Sequence, residues 1–288
     1  MLFLVTNNVN GNIDQYRELA NIVKVIHPTF TVILGDVLSK NQSGKQSQLF
    51  SNINPYLDKI QITSPILLQF GGYDLQTTED YFDANIQTDK IINLSKNTIT
   101  YEGLSINGIN QIPDHPFNLK DWSRRDGKSI EFSGQIETPL LSQETGFKEI
   151  DNLEEHLKEL PSLGDILVSK ISTISDISKS IWFTLATPTG LKFDHANRSS
   201  FFDSYDIRQL AEGNLTEGVQ PLSVISGFPG RIKEASKMYH HQLGKCSCFQ
   251  ISRFFTGLDF ILIDISDFKI TKYYHSKHIE FDRIGEQR

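Results

Sequence analysis

The sequence predicts an α/β protein that opens with a parallel βαβαβ unit. Three observations carry that expectation. An apolar run, Leu2-Phe3-Leu4-Val5, leads straight into a polar turn, Asn8-Val9-Asn10-Gly11-Asn12, and helical periodicity starts directly after it. Two further apolar runs, Phe30-Thr31-Val32-Ile33-Leu34 and Pro65-Ile66-Leu67-Leu68-Gln69-Phe70, close on Gly35-Asp36 and on Gly71-Gly72-Tyr73-Asp74. Helical patterns with short loops lie between the runs, the order that parallel strands with right-handed crossovers require.

Each element has its own signal. Asn12 is placed to cap the first helix, with Gln15 three residues on in a capping-box pattern. Ile13, Tyr16, Ala20, Val23 and Ile26 recur at helical spacing as its buried stripe, and His27-Pro28 ends it, because the residue before proline avoids helical angles. A polar stretch from Ser39 to Lys45 precedes a weaker helical pattern that ends near Ile60. Short strand-like pieces run from Ile91 to Ile112, among them Thr98-Ile99-Thr100-Tyr101 and Leu104-Ser105-Ile106. Phe147 to Leu160 reads as a helix presenting Ile150, Leu153, Leu157 and Leu160. Strands return at Ile181-Trp182-Phe183-Thr184-Leu185, at Leu222-Ser223-Val224-Ile225-Ser226 and at Cys248-Phe249-Gln250-Ile251. The last two strands, Phe260 to Ile265 and Lys269 to Tyr274, read as a hairpin turning at Ser266-Asp267.

Composition narrows the class. A chain of 288 residues with 38% hydrophobic and 22% charged residues can bury a large core. One domain over residues 1–288 is the expectation, with an irregular segment at about 111–180 inside it. A net charge of −7 argues against a dedicated nucleic-acid binder, which needs a basic face. No apolar run approaches the roughly 20 residues that cross a bilayer, and Leu2 to Val5 is too short for a signal peptide. Cys246 and Cys248, two apart on a strand pattern, share a face in a geometry unsuited to a disulfide, so a reduced cytoplasmic protein is expected.

The strand ends converge on one set of polar turns: Asn8-Val9-Asn10-Gly11-Asn12, Gly35-Asp36, Gly71-Gly72-Tyr73-Asp74, Ala186-Thr187-Pro188-Thr189-Gly190 and Gly227-Phe228-Pro229-Gly230. In an open α/β sheet such ends line one crevice. Their order and spacing resemble the calcineurin-like metallophosphoesterases, which read Asp-x-His-Gly-Asn, Gly-Asp, Gly-Asn-His-Asp/Glu, His-Thr-Pro-Pro and Gly-His-x-His at five successive strand ends. Pro116-Phe117 through Lys120-Asp121-Trp122-Ser123-Arg124-Arg125-Asp126 is similar to a further segment of a subgroup. The resemblance spans Leu2 to about Tyr274 and implies a layered α/β/β/α fold, two packed mixed sheets flanked by helices.

The chemistry-bearing positions depart from that pattern. Carried over one by one, the first metal-ligand Asp is Asn8, the first His is Asn10, and the bridging Asp survives as Asp36. The Asn ligand becomes Gly72, the leaving-group His becomes Tyr73, and the His before Thr-Pro becomes Ala186. Both His of the last motif are replaced, by Phe228 and Gly230. Two divalent cations a few ångströms apart need carboxylates and imidazoles to offset their repulsion. Asp36 alone, even with the carbonyl oxygens of Asn8 and Asn10, does not supply that.

The implied function is a catalytically inactive phosphoesterase fold serving as a binding or scaffold module. A protein partner is expected, with no cofactor and no membrane insertion. Degenerate members of the superfamily set the precedent in trafficking coats and replicative polymerases. Asp36, Asn8 and Asn10 are read as turn and cap residues, and Tyr73 and Phe228 as aromatic fill. An active phosphoesterase with a rearranged site is the alternative, using Asp36, Asp74, Asp194 and His195 with a metal such as Mn or Fe. A third reading is a nucleotide or phosphate sensor in the old crevice; Trp122, Arg124 and Arg125 are its ligand candidates. His240-His241 and the pairs Phe201-Phe202 and Phe254-Phe255 are assigned structural roles.

Overall fold

The computed structural model describes residues 1–38, 46–115, 118–127, 137–191, 203–231, 239–253 and 258–276. In chain order its first half runs β1 (Leu2–Asn7), α1 (Ile13–Ile26), β2 (Phe30–Leu34), α2 (Gln46–Thr63), β3 (Ile66–Gln69), α3 (Gln76–Asn85), β4 (Ile91–Asn93), β5 (Ile99–Tyr101) and β6 (Leu104–Ile109). Short pieces follow: β7 (Ile112–Pro113), β8 (Ser123–Arg124), the ribbon β9 (Leu140–Gln143) and β10 (Gly146–Glu149), then α4 (Leu153–Glu159) and α5 (Leu163–Ile171). The remainder is β11 (Ser180–Thr184), β12 (Thr187–Pro188), β13 (Asp203–Ser204), α6 (Tyr205–Glu212), β14 (Ser223–Arg231), β15 (His240–Leu243), β16 (Cys246–Arg253), β17 (Phe260–Ser266) and β18 (Lys269–His275).

Two mixed six-stranded sheets result. The first is ordered β18-β17-β1-β2-β3-β4, parallel from β1 to β4 and closed at one side by the antiparallel hairpin β17–β18. The second is ordered β15-β16-β14-β11-β6-β5, with four parallel strands between antiparallel edges. Strands covered on both faces need apolar residues at every position, and β2 is buried throughout. Phe3 on β1 stacks on Phe30 and lies 6.2 Å from Phe183 on β11, which joins the sheets through their apolar faces. On the other side of the first sheet, Phe50 of α2 and Phe82 of α3 pack on Phe70. Among the described residues no helix is long and apolar enough to cross a membrane.

Several sequence expectations shift. Asn12 caps α1 as expected, accepting from the N–H groups of Asp14 and Gln15. Its buried stripe is rotated, however. Gln15, Leu19 and Ile22 join Tyr16, Val23 and Ile26, while Ile13 is 40% exposed. The second helix starts at Gln46 and runs to Thr63 rather than stopping near Ile60. The helix expected over 147–160 is confined to Leu153–Glu159, because Gly146 at φ +96° turns the preceding residues into the β9–β10 ribbon. The final hairpin turns at Asp267-Phe268, both left-handed, one residue later than read. Cys246 and Cys248 do share a face; their sulfurs lie 4.0 Å apart, unbonded and buried. Asp194, His195, Phe201, Phe202, Phe254, Phe255, Pro116 and Phe117 lie outside the described residues.

Candidate functional site

Three turns at the carboxyl ends of β1, β2 and β3 are laced together by their backbones. Asn8 N–H donates to Leu34 O at 3.0 Å, Asn10 N–H to Asp36 O at 2.6 Å and Gly11 N–H to Val37 O at 3.0 Å. Gly35 N–H then donates to Gln69 O at 2.7 Å and Asp36 N–H to Gly71 O at 3.2 Å. Asn8, Asn10 and Asp36 all have positive φ, near 61°, 54° and 44°. Asn and Asp are the non-glycine residues that tolerate that region best, since their side chains bond locally.

The side chains turn inward on one another. Asn8 Oδ1, the oxygen a metal would take, accepts from Asn10 Nδ2 at 2.5 Å. The same amide nitrogen also reaches Asn8 O at 3.1 Å. Asp36 is 1% exposed, and its Oδ1 accepts the Tyr73 N–H at 2.6 Å. The neighbouring acid, Asp74, is fully buried. It accepts from Val37 N–H (2.9 Å), Leu38 N–H (3.0 Å) and Gly71 N–H (3.3 Å), so it ties the turn after β2 to the turn after β3. Burial, and after it the nearby Asp36 carboxylate, push Asp74 up from the ordinary carboxylate range, against the pull of those three donors.

Leu185, just past β11, supplies what the sequence reading missed. A Cβ on Gly35 would stand 2.8 Å from Leu185 Cδ2, and one on Gly71 would stand 1.8 Å from Leu185 Cδ1. Leu185 is therefore seated on two glycine backbones, fully buried, beside the equally buried Ala186. Glycine at 35 and 71, each at positive φ, is what makes that seat. Thr184 bonds across to Ser226 at 3.0 Å, and Asn7 Nδ2 reaches Ile251 O at 3.2 Å, so neighbouring strand ends are also closed by local bonds. Tyr73 is half-buried; Phe228 and Gly230 lie in β14.

These residues do not fit a pair of divalent cations. Their oxygen donors are amides bonded to each other and one carboxylate engaged by a backbone N–H, while Gly72 and Ala186 offer no side-chain donor. Among the described residues no three His, Cys, Asp or Glu side chains group where they could hold a metal ion. His240 sits apart on edge strand β15, with its Nδ1 3.0 Å from the Tyr273 hydroxyl.

The segment from Lys120 to Asp126 is a set of ties rather than a patch. Lys120 Nζ bonds Asp114 at 2.8 Å and also His115 O, with the lysine fully buried. Asp121 accepts from Gln76 N–H at the start of α3 and from Ser142. Trp122 Nε1 donates to Asp74 O at 2.6 Å, which places it beneath the crevice with only 4% exposure. Arg125 donates to Leu157 O and Leu160 O at the end of α4. Asp126 accepts from Ser204, Tyr205 N–H and Asp206 N–H at the start of α6, and burial raises it to about 6. Arg124 spends one nitrogen, Nη1, on Asp121 O and Ser123 O.

No family model and no curated protein matches the chain in sequence. Solved structures do match in fold. One superposes over 96% of this chain and 98% of its own length, with a TM-score of 0.59 at 11% identity. The crystal structure of TT1561 from Thermus thermophilus aligns over 96% of this chain and 97% of its own, TM-score 0.55, 13% identical. A dimetal phosphatase from Danio rerio aligns over 93% of each chain, TM-score 0.51, 10% identical. Two packed mixed sheets flanked by helices are the calcineurin-like phosphoesterase fold, and the stretch Gly227-Phe228-Pro229-Gly230, expected as a turn, is here a continuation of β14.

Proposed function

We propose that this protein is a catalytically inactive phosphoesterase fold that works as a binding or scaffold module, cytoplasmic and engaged by a protein partner. The observation that carries the reading is the closed crevice floor. Asn8 and Asn10 satisfy each other at 2.5 Å where a cation would have to separate them, and Leu185 occupies the space over Gly35 and Gly71. A hydrolase of this fold needs metal-bound hydroxide and a clamp on the phosphoryl oxygens. Apolar bulk and paired amides provide neither. The glycines and strand lengths are folding requirements and persist without catalysis.

The test is the metal content of the purified full chain for Mn, Fe, Zn and Ni, together with turnover of bis(p-nitrophenyl) phosphate. Substoichiometric metal and no turnover above buffer are expected. Stoichiometric metal with turnover that Asp36→Ala abolishes would establish the rearranged-site hydrolase instead.

A further inference from the structure

A cleft of about 600 Å³ opens between α5 and the ends of β4 and β6, and none of its lining residues belongs to the crevice floor. Its volume is in the range of small-molecule sites. Among the described residues three cations line it, Lys96, Lys170 and Arg124, against one acid, Asp165, in a chain whose net charge is −7. Asp165 is committed to Ser162 in the capping box of α5. Lys96 is matched by Asp83 at 2.7 Å and Asp80 at 3.2 Å.

Lys170 and Arg124 are not matched in this way. Lys170 Nζ donates to two carbonyls, Ser95 O and Gly108 O, both at 2.6 Å, and forms no ion pair with a carboxylate among the described residues. Arg124 is held by Nη1 alone; its Nε is buried without a hydrogen-bond partner among the described residues. A guanidinium anchored at Nη1 is held in place and keeps the donors of Nη2, which suit charge-assisted bonds to an anionic oxygen. Ile109 and Ile166 give the cleft an apolar wall against which the body of a ligand can rest.

We propose that this cleft binds a small phosphate monoester, its dianion held by Arg124 and Lys170 and its organic part against the apolar wall. Two cations outside any carboxylate ion pair among the described residues match the double charge of a phosphate monoester better than the single charge of a carboxylate. Burial holds Lys170 down to about 8, against the opposing pull of Glu79, and a bound dianion would restore its proton. Binding above that pH should therefore take up a proton. The proposal does not depend on whether the crevice is inactive, since metal content and turnover test that separately.

The experiment is calorimetric titration of the full chain with a nucleoside monophosphate, its parent nucleoside and inorganic phosphate. It is paired with mass-spectrometric acetylation rates at Lys170, which locate the ligand without a mutation. The monophosphate should bind and slow acetylation of Lys170, inorganic phosphate should compete, and the nucleoside alone should do neither. Arg124→Lys, which keeps the charge but loses the anchored planar guanidinium, should weaken binding by about tenfold. Absence of monophosphate binding, equal binding of the nucleoside, or unchanged Lys170 acetylation in the bound state would each overturn the proposal.

Discussion

The crevice floor and the Lys120–Asp126 segment are both built of polar side chains, yet they use them in opposite ways. In the crevice the amides of Asn8 and Asn10 bond each other, and the bonds close within a single turn. In the segment five side chains reach five different places: Asp114 from Lys120, α3 from Asp121, the turn after β3 from Trp122, α4 from Arg125, α6 from Asp126. The first arrangement is local; the second ties distant elements together. Buried charge has a partner in both places: Asp36 and Asp74 accept backbone N–H groups at the crevice, and Lys120 pairs with Asp114 in the segment.

The comparison can be broken most severely at Lys120. Lys120→Met leaves the buried Asp114 without its ion pair, and a loss of about 3–5 kcal/mol in denaturant unfolding is expected. An effect near zero would mean the segment is not a tie. In the crevice, Leu185→Ala should cost about 2–4 kcal/mol, as a buried leucine that leaves a cavity. Gly71→Ala should cost more, because its Cβ would fall 1.8 Å from Leu185 Cδ1, and the pair Gly71→Ala with Leu185→Ala should recover part of the loss. Strict additivity would show that Leu185 does not rest on Gly71.

A pH titration sharpens the comparison further. Burial, and then Lys120, hold His115 down to about 3, below its ordinary 6.5. The unfolded chain therefore takes up the proton first, and stability falls as pH drops from 6.5 toward 3. Asp126 acts in the opposite sense. Burial raises it to about 6, so the native state protonates first between there and 3.8. His115→Asn should flatten the acid loss and Asp126→Asn should steepen it, both read from urea midpoints across that range. The smallest effect is expected from Arg125→Met, which frees the carbonyls of Leu157 and Leu160. About 1 kcal/mol is the scale of a lost helix-end contact.

Much of the framework was legible in the residue order. β2 was readable to its ends because a strand covered on both faces must be apolar at every position, and Phe30–Leu34 is. The βαβ opening and the Asn12 cap were readable for similarly local reasons. What stayed hidden depends on distant partners. Leu185 is one residue from an expected ligand position, and only the approach of the two glycine turns makes it a plug. Arg125 and Asp126 meet groups 32 and 79 residues away, so no spacing rule could separate a helix tie from a phosphate ligand. The hairpin turn was misplaced because Phe268 takes a left-handed conformation that phenylalanine seldom adopts, and Ser266-Asp267 carried the commoner signal.

The Asn8–Asn10 bond and the seated Leu185 also bear on what single substitutions at the crevice would meet. Asn8→Asp alone would add a carboxylate on the turn adjoining Asp36 with no cation to offset it, and Asn10→His alone would break the amide pair without creating a site. Ala186→His would have to place an imidazole beside a buried leucine. Each of these single substitutions thus disturbs an existing contact without completing a set of metal ligands. The crevice floor is a coupled set, in which a change at one position is felt by the partners it bonds or rests on.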